Sequence, residues 1–139
     1  MRIRLRLFLL ATAIALVAAI GLFTYSIVKT RLVVNVDHPN GSRLRVVQKL
    51  GYESFYTAIY FDDGDGQWRW YYYDHNDAYW GSASILIDDN VIKITSDQRR
   101  IEMDTKTGDC TISDARENST IMRKSTKIVS LPEGVRGAD

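Results

Sequence analysis

The sequence is short of almost every residue from which catalytic or metal-binding chemistry is built. It has one cysteine, Cys110, so no disulfide can form within the chain and its folded part must hold together by packing. A lone thiol of this kind is expected in the interior rather than paired with another chain. The two histidines, His38 and His75, lie in separate segments, and with Cys110 they give no paired spacing of a zinc site. The four glutamates, Glu53, Glu102, Glu117 and Glu133, are scattered and make no visible pair for glycoside hydrolysis. There is no Gly-rich phosphate loop and no Gly-x-Ser-x-Gly nucleophile turn. These absences point away from an enzyme. The one catalytic alternative is a hydrolase centred on His75, which Asp74 and Asp77 flank as a possible poised base.

Acidic residues are missing from the start of the chain. All 17 Asp and Glu lie from Asp37 onward, whereas Arg2, Arg4, Arg6, Lys29 and Arg31 supply five of the 18 basic residues. The remaining residues, 32–139, carry 13 basic and 17 acidic groups, a net of −4. Such a domain lacks the cationic surface that displaces counterions from phosphates, so nucleic acid is not an expected partner. No cofactor is expected either.

Between Arg6 and Lys29 no residue is charged, and residues 7–28 read LFLLATAIALVAAIGLFTYSIV. As a helix rising about 1.5 Å per residue, this run is long enough to cross a hydrocarbon core of about 30 Å. Thr12, Thr24 and Ser26 can return their hydroxyls to helix carbonyls, and Tyr25 suits an interface. The run predicts an uncleaved signal-anchor in the lipid bilayer, with residues 1–6 as a cytoplasmic n-region. The excess of Arg before the span predicts a C-terminal domain outside the cytoplasm. The alternative is a signal peptide cleaved near Ala19, giving a secreted or periplasmic domain. It is disfavoured because the apolar run continues well past that point.

Long amphipathic helices are absent from the rest. Residues 29–131 instead read as short runs rich in Val, Ile, Tyr, Trp and Thr, at 32–36, 44–50, 55–61, 68–73, 84–87, 91–95, 101–104, 110–112, 120–122 and 128–131. Polar and Gly-containing turns separate them, as in Asp62-Asp63-Gly64-Asp65-Gly66 and Asp88-Asp89-Asn90. The pattern predicts an all-β fold: an antiparallel meander of 8–10 strands closed as a sandwich or small barrel. Residues 132–139 read as a flexible tail. Asn40-Gly41-Ser42 and Asn118-Ser119-Thr120 are glycosylation sequons that also serve as ordinary turns.

Aromatic residues are absent after Trp80, and their distribution is the main functional signal. Of the 15 Phe, Trp and Tyr, 12 fall between Tyr52 and Trp80. Alternation puts aromatic or apolar residues on both faces of the runs 55–61 and 68–73, unlike a strand with one wet face. Core packing explains one face. The other predicts a binding surface for a protein partner, drawn from Tyr56, Tyr60, Trp68, Arg69, Trp70, Tyr71, Tyr73, Tyr79 and Trp80. In this reading Tyr56, Tyr60, Tyr71 and Tyr73 lead one face, and Arg69 sits between the two tryptophans for a cation–π contact. A second alternative is a small ligand-binding module for carbohydrate or Ca²⁺. It would combine these rings with Asp62, Asp63, Asp65, Asp74 and Asp77, though their spacing fails an EF-hand loop.

Overall fold

The computed structural model describes residues 2–28, 30–50, 55–74, 80–116, 118–132 and 135, without the side chains of 2–5, 25–28, 30, 50, 55, 73 and 74. The apolar run forms α1 (Arg2–Val28). Thr12 Oγ1 donates to the carbonyls of Phe8 and Leu9, and Thr24 Oγ1 to those of Ile20 and Gly21. These bonds satisfy the hydroxyls within the helix. Within α1, residues 6–24 form a stretch long and apolar enough to cross a membrane, and among the described residues nothing buries it.

Ten strands follow: β1 (Thr30–Asp37), β2 (Arg43–Leu50), β3 (Phe55–Asp62), β4 (Trp68–Asp74), β5 (Ser84–Asp88), β6 (Val91–Thr95), β7 (Arg99–Asp104), β8 (Cys110–Asp114), β9 (Ser119–Met122) and β10 (Ile128–Val129). They form two antiparallel five-stranded sheets, ordered β1-β2-β3-β4-β10 and β5-β6-β7-β8-β9. The domain is therefore all-β and sandwich-like. The second sheet is a meander throughout and the first is one as far as β4, beside which β10 returns; each turn supplies what its geometry needs. Gly41 and Gly64, for example, adopt φ of 92° and 94°, a left-handed backbone that costs other residues a steric clash.

The main core lies between the sheets. Val34, Val36, Leu44, Val46, Ile59, Phe61, Tyr71 and Trp80 meet Ile92, Ile94, Ile101, Met103, Cys110 and Ile112, all buried. Period-two alternation supplies the second sheet's share, two residues each from β6, β7 and β8. Cys110 is inside this core, and burial pushes its thiol up to about 12, so the expectation of an interior cysteine holds.

Hydrogen bonds at the turns set how the sheets face each other. Tyr71 Oη donates to the Gly108 carbonyl at 2.5 Å and accepts from the Ser125 amide at 3.2 Å, tying β4 to the β7–β8 turn and to the segment after β9. From the β1–β2 turn, His38 Nε2 lies 2.8 Å from the Asp88 carbonyl, and Asn40 Nδ2 donates to Thr105 Oγ1 at 3.0 Å. The first holds the β1–β2 turn against the β5–β6 hairpin, and the second holds it against the β7–β8 turn.

A smaller core lies on the outer face of the first sheet. Val47 and Tyr60 are buried there by Leu131 and Val135, with Leu32, Ala58, Trp68, Trp70 and Val129 around them. Of residues 132–139, expected as a flexible tail, only Pro132 and Val135 lie among the described residues. After β10 the chain crosses this face, the Val135 amide donates to the Pro132 carbonyl at 2.9 Å, and the Val135 side chain is buried.

Candidate functional site

The β3–β4 register decides what the aromatic block can present. Ile59 pairs with Tyr71, Tyr60 with Trp70, and Ala58 with Tyr72. Paired residues share a face, so Tyr71 belongs with Ile59 and Phe61 on the core side, while Tyr56, Tyr60, Trp68, Trp70 and Tyr72 point outward. The expected grouping of Tyr56 and Tyr60 with Tyr71 and Tyr73 is thus incorrect. Alternation along one strand gives two faces but does not say which matches which face of its neighbour.

Burial removes more of the predicted surface. Tyr60, Tyr71 and Trp80 are all buried, so none can offer a ring to a partner in this conformation. Trp80 is a core residue: its Nε1 donates to Thr57 Oγ1 at 3.2 Å and its amide to Gln48 Oε1 at 3.1 Å. Burial also raises the phenol pKa of Tyr60 and of Tyr71. On the outer face, Tyr56 is 36% and Tyr72 46% exposed, whereas Trp68 and Trp70 are half-buried. Tyr72 does not figure in the predicted set. Tyr79 lies outside the described residues, as does the side chain of Tyr73.

The cations on these rings are not the expected one. Arg43 and Arg45 lie over Trp68 at 4.9 and 5.5 Å, and Lys127 lies over Trp70 at 3.8 Å. Arg69 is on the other face, paired with Phe61 across the ladder. Its guanidinium binds Asp63 at 3.0 Å and Asp65 at 2.7 Å.

That ion pair bears on the Ca²⁺ alternative. Asp62, Asp63 and Asp65 do converge, with one carboxylate oxygen of each within 4.8 Å of the others. Their oxygens are already engaged. Asp62 accepts from the Gly64 and Gly66 amides and from Arg43, and Asp63 accepts from Arg69 and Lys124. The Arg69 hydrogen bond holds the Asp65 carboxyl well below the usual carboxylate range. Basic side chains of the chain itself supply the positive charge, so the cluster reads as a turn closed by ion pairs. Asp74 contributes only its backbone to the described structure, and His75 and Asp77 lie outside it, which leaves the hydrolase alternative without geometry.

A polar cleft of about 480 Å³ lies between the β6–β7 and β8–β9 turns, lined by Ser96, Arg99, Arg100, Glu102, Ser113 and Asp114 among others. No aromatic ring lines it. This cleft therefore does not bring its polar groups to the outer-face rings.

The feature that sequence reasoning missed is β5. Every residue of Ser84–Asp88 is exposed, including Ile85 at 46%, Leu86 at 59% and Ile87 at 43%. In the β5–β6 register Ile85 pairs with Ile94 and Ile87 with Ile92. Ile92 and Ile94 are buried, so the covering sheet stops at β6 and leaves β5 projecting beyond it. The other edges carry protection. β1 has a bulge between Leu32 and Val34 and charged residues at Arg31 and Asp37, β4 is partly capped by β10, and β9 runs into Arg123 and Lys124. β5 has no Lys, Arg, Pro or bulge, and proteins rarely leave such an edge open without a use. The chain matches no protein-family model, no curated protein and no solved structure.

Proposed function

We propose that this chain is a membrane-anchored binding and assembly module, held outside the cytoplasm, in which the β5 edge receives a strand from a partner. The reading assigns it no catalytic role. An uncleaved α1 anchors it: the helix is apolar throughout its central stretch, and only residue 29 separates it from β1. Arg2, Arg4 and Arg6 before the uncharged run 7–28, against Lys29 and Arg31 after it, favour retention of the N-terminus inside.

One observation carries the assembly reading: three consecutive aliphatic residues, Ile85, Leu86 and Ile87, are exposed on an edge strand with nothing to repel a neighbour. Strand addition would use the free main-chain groups for affinity and these side chains for burial. This places the binding element one hairpin beyond the aromatic block.

The test compares the full chain with an Ile85→Lys/Ile87→Lys variant in native membranes, by size after gentle solubilisation. The wild type is expected in an assembly larger than a monomer. The variant is expected as a folded monomer with melting lowered only modestly, because nearly half of each side chain is already exposed. A monomeric wild type, or a variant that assembles equally well, contradicts the reading.

A further inference from the structure

The β5–β6 hairpin has a two-residue turn, with Asp88 paired to Val91 across Asp89-Asn90. Such a hairpin closes on a hydrogen-bonded pair, and hydrogen-bonding direction alternates along an antiparallel strand. Ser84, Leu86 and Asp88 therefore direct their N–H and C=O groups at β6. Ile85 and Ile87 direct theirs away from the sheet. The open edge offers two donors and two acceptors, centred on Leu86.

The strand is self-complementary about that centre. Reversed and laid beside itself, Ser84-Ile85-Leu86-Ile87-Asp88 sets Ile85 opposite Ile87, Leu86 opposite Leu86, and Ser84 opposite Asp88. No like charges meet, and the only carboxylate faces a hydroxyl. The outward groups of Ile85 and Ile87 fall in register as two hydrogen-bonded pairs, giving four bonds, while Leu86 meets its copy in the close, non-hydrogen-bonded position.

Deepening the assembly reading, on which it rests, we infer that the strand received at this edge is β5 of a second copy, paired antiparallel about a two-fold axis through Leu86. The two five-stranded sheets then join into one continuous sheet across the dimer. The contact is isologous and closed, so it consumes both open edges and stops at two chains. Five residues a side is a small contact beside the roughly 1,200–2,000 Å² of a standard interface. Confinement of both chains to one membrane raises their effective concentration and offsets that. Because the axis is perpendicular to the sheet, chains anchored in one bilayer pair with their sheets lying along its surface.

The two-fold axis makes the test specific. In full-length chain in native membranes, Leu86→Cys brings two thiols together at the axis, within the 4.4–6.8 Å range of about usual Cα separations for a disulfide. Ser84→Cys places its thiols about 14 Å apart, four residues along the strand. Cys110 is buried and does not compete. Mild oxidation is expected to convert most of the Leu86→Cys chain to a covalent dimer and to leave Ser84→Cys monomeric. Equal cross-linking of the two overturns the register. If Leu86→Cys stays monomeric while Ile85→Lys/Ile87→Lys still dissolves the larger assembly, another protein holds the edge; this inference falls and the assembly reading stands. If neither variant has an effect, both fall.

Discussion

His38 Nε2 and the Asp88 carbonyl oxygen lie 2.8 Å apart, joining the β1–β2 turn of one sheet to the exposed strand of the other. The Asn40 amide donates to His38 Nδ1 at 3.2 Å, which places the imidazole proton on Nε2, where it is donated to Asp88. The imidazole is buried, so this bond supports the end of β5 from beneath. His38, which the sequence offered only as a scattered turn residue, positions the edge.

Replacement of His38 by Ala removes that support. The variant should lose about 0.5–1.5 kcal/mol of stability, the usual net contribution of one hydrogen bond. Chemical denaturation measures the loss, and amide exchange in Asp88 and Asp89 should rise with it. Unchanged stability would mean that the hairpin needs no bracing.

The C-terminal segment should matter more than a tail does. Ending the chain after Ser130 removes Leu131 and Val135 and uncovers Val47 and Tyr60. At about 1.5–3 kcal/mol for each buried aliphatic side chain, the expected loss is about 3–6 kcal/mol. Emission from Trp68 and Trp70, which adjoin this cluster, should shift to longer wavelength as water reaches them. A truncated chain that melts like the full one contradicts the second core.

Alkaline stability follows from three buried acids. Burial raises the Cys110 thiol from 9.0 to about 12, and raises Tyr60 and Tyr71 above 10.0. Each group is neutral when protonated, and each folded pKa exceeds its unfolded one. Their contribution is therefore complete below the unfolded pKa and is lost as pH rises through the folded pKa. The melting temperature should hold to about pH 9 and then fall steadily towards about pH 12. Cys110→Ala should remove the earliest part of that fall. A flat profile across this range would contradict the burial of these groups.

The sequence disclosed most of this fold because its signals were local. Every predicted run became a strand, from residues 32–36 within β1 to 128–131 around β10, since alternation and turn residues act over a few positions. Sheet membership and register are not local. Nothing within residues 68–73 says that Tyr71 pairs with Ile59, and so the predicted surface combined residues from two faces. Trp80, read as part of a surface, proved to be core because Gln48 and Thr57, distant in sequence, hold it there. Ser84-Ile85-Leu86-Ile87-Asp88 has the composition of a buried strand. Only its place at the end of the order β5-β6-β7-β8-β9 exposes it.

The central claim is that this edge is occupied when the protein is at work. Hydrogen exchange of the Ile85 and Ile87 amides measures it directly, with the full chain in native membranes compared against dilute detergent. Both amides point away from β6 and have no partner strand among the described residues, so in dilute detergent they should exchange quickly. In membranes the account predicts that both slow towards the rates of the buried ladder at Ile92 and Ile94. Fast exchange at Ile85 and Ile87 in both settings would mean that no strand joins β5, and would contradict it.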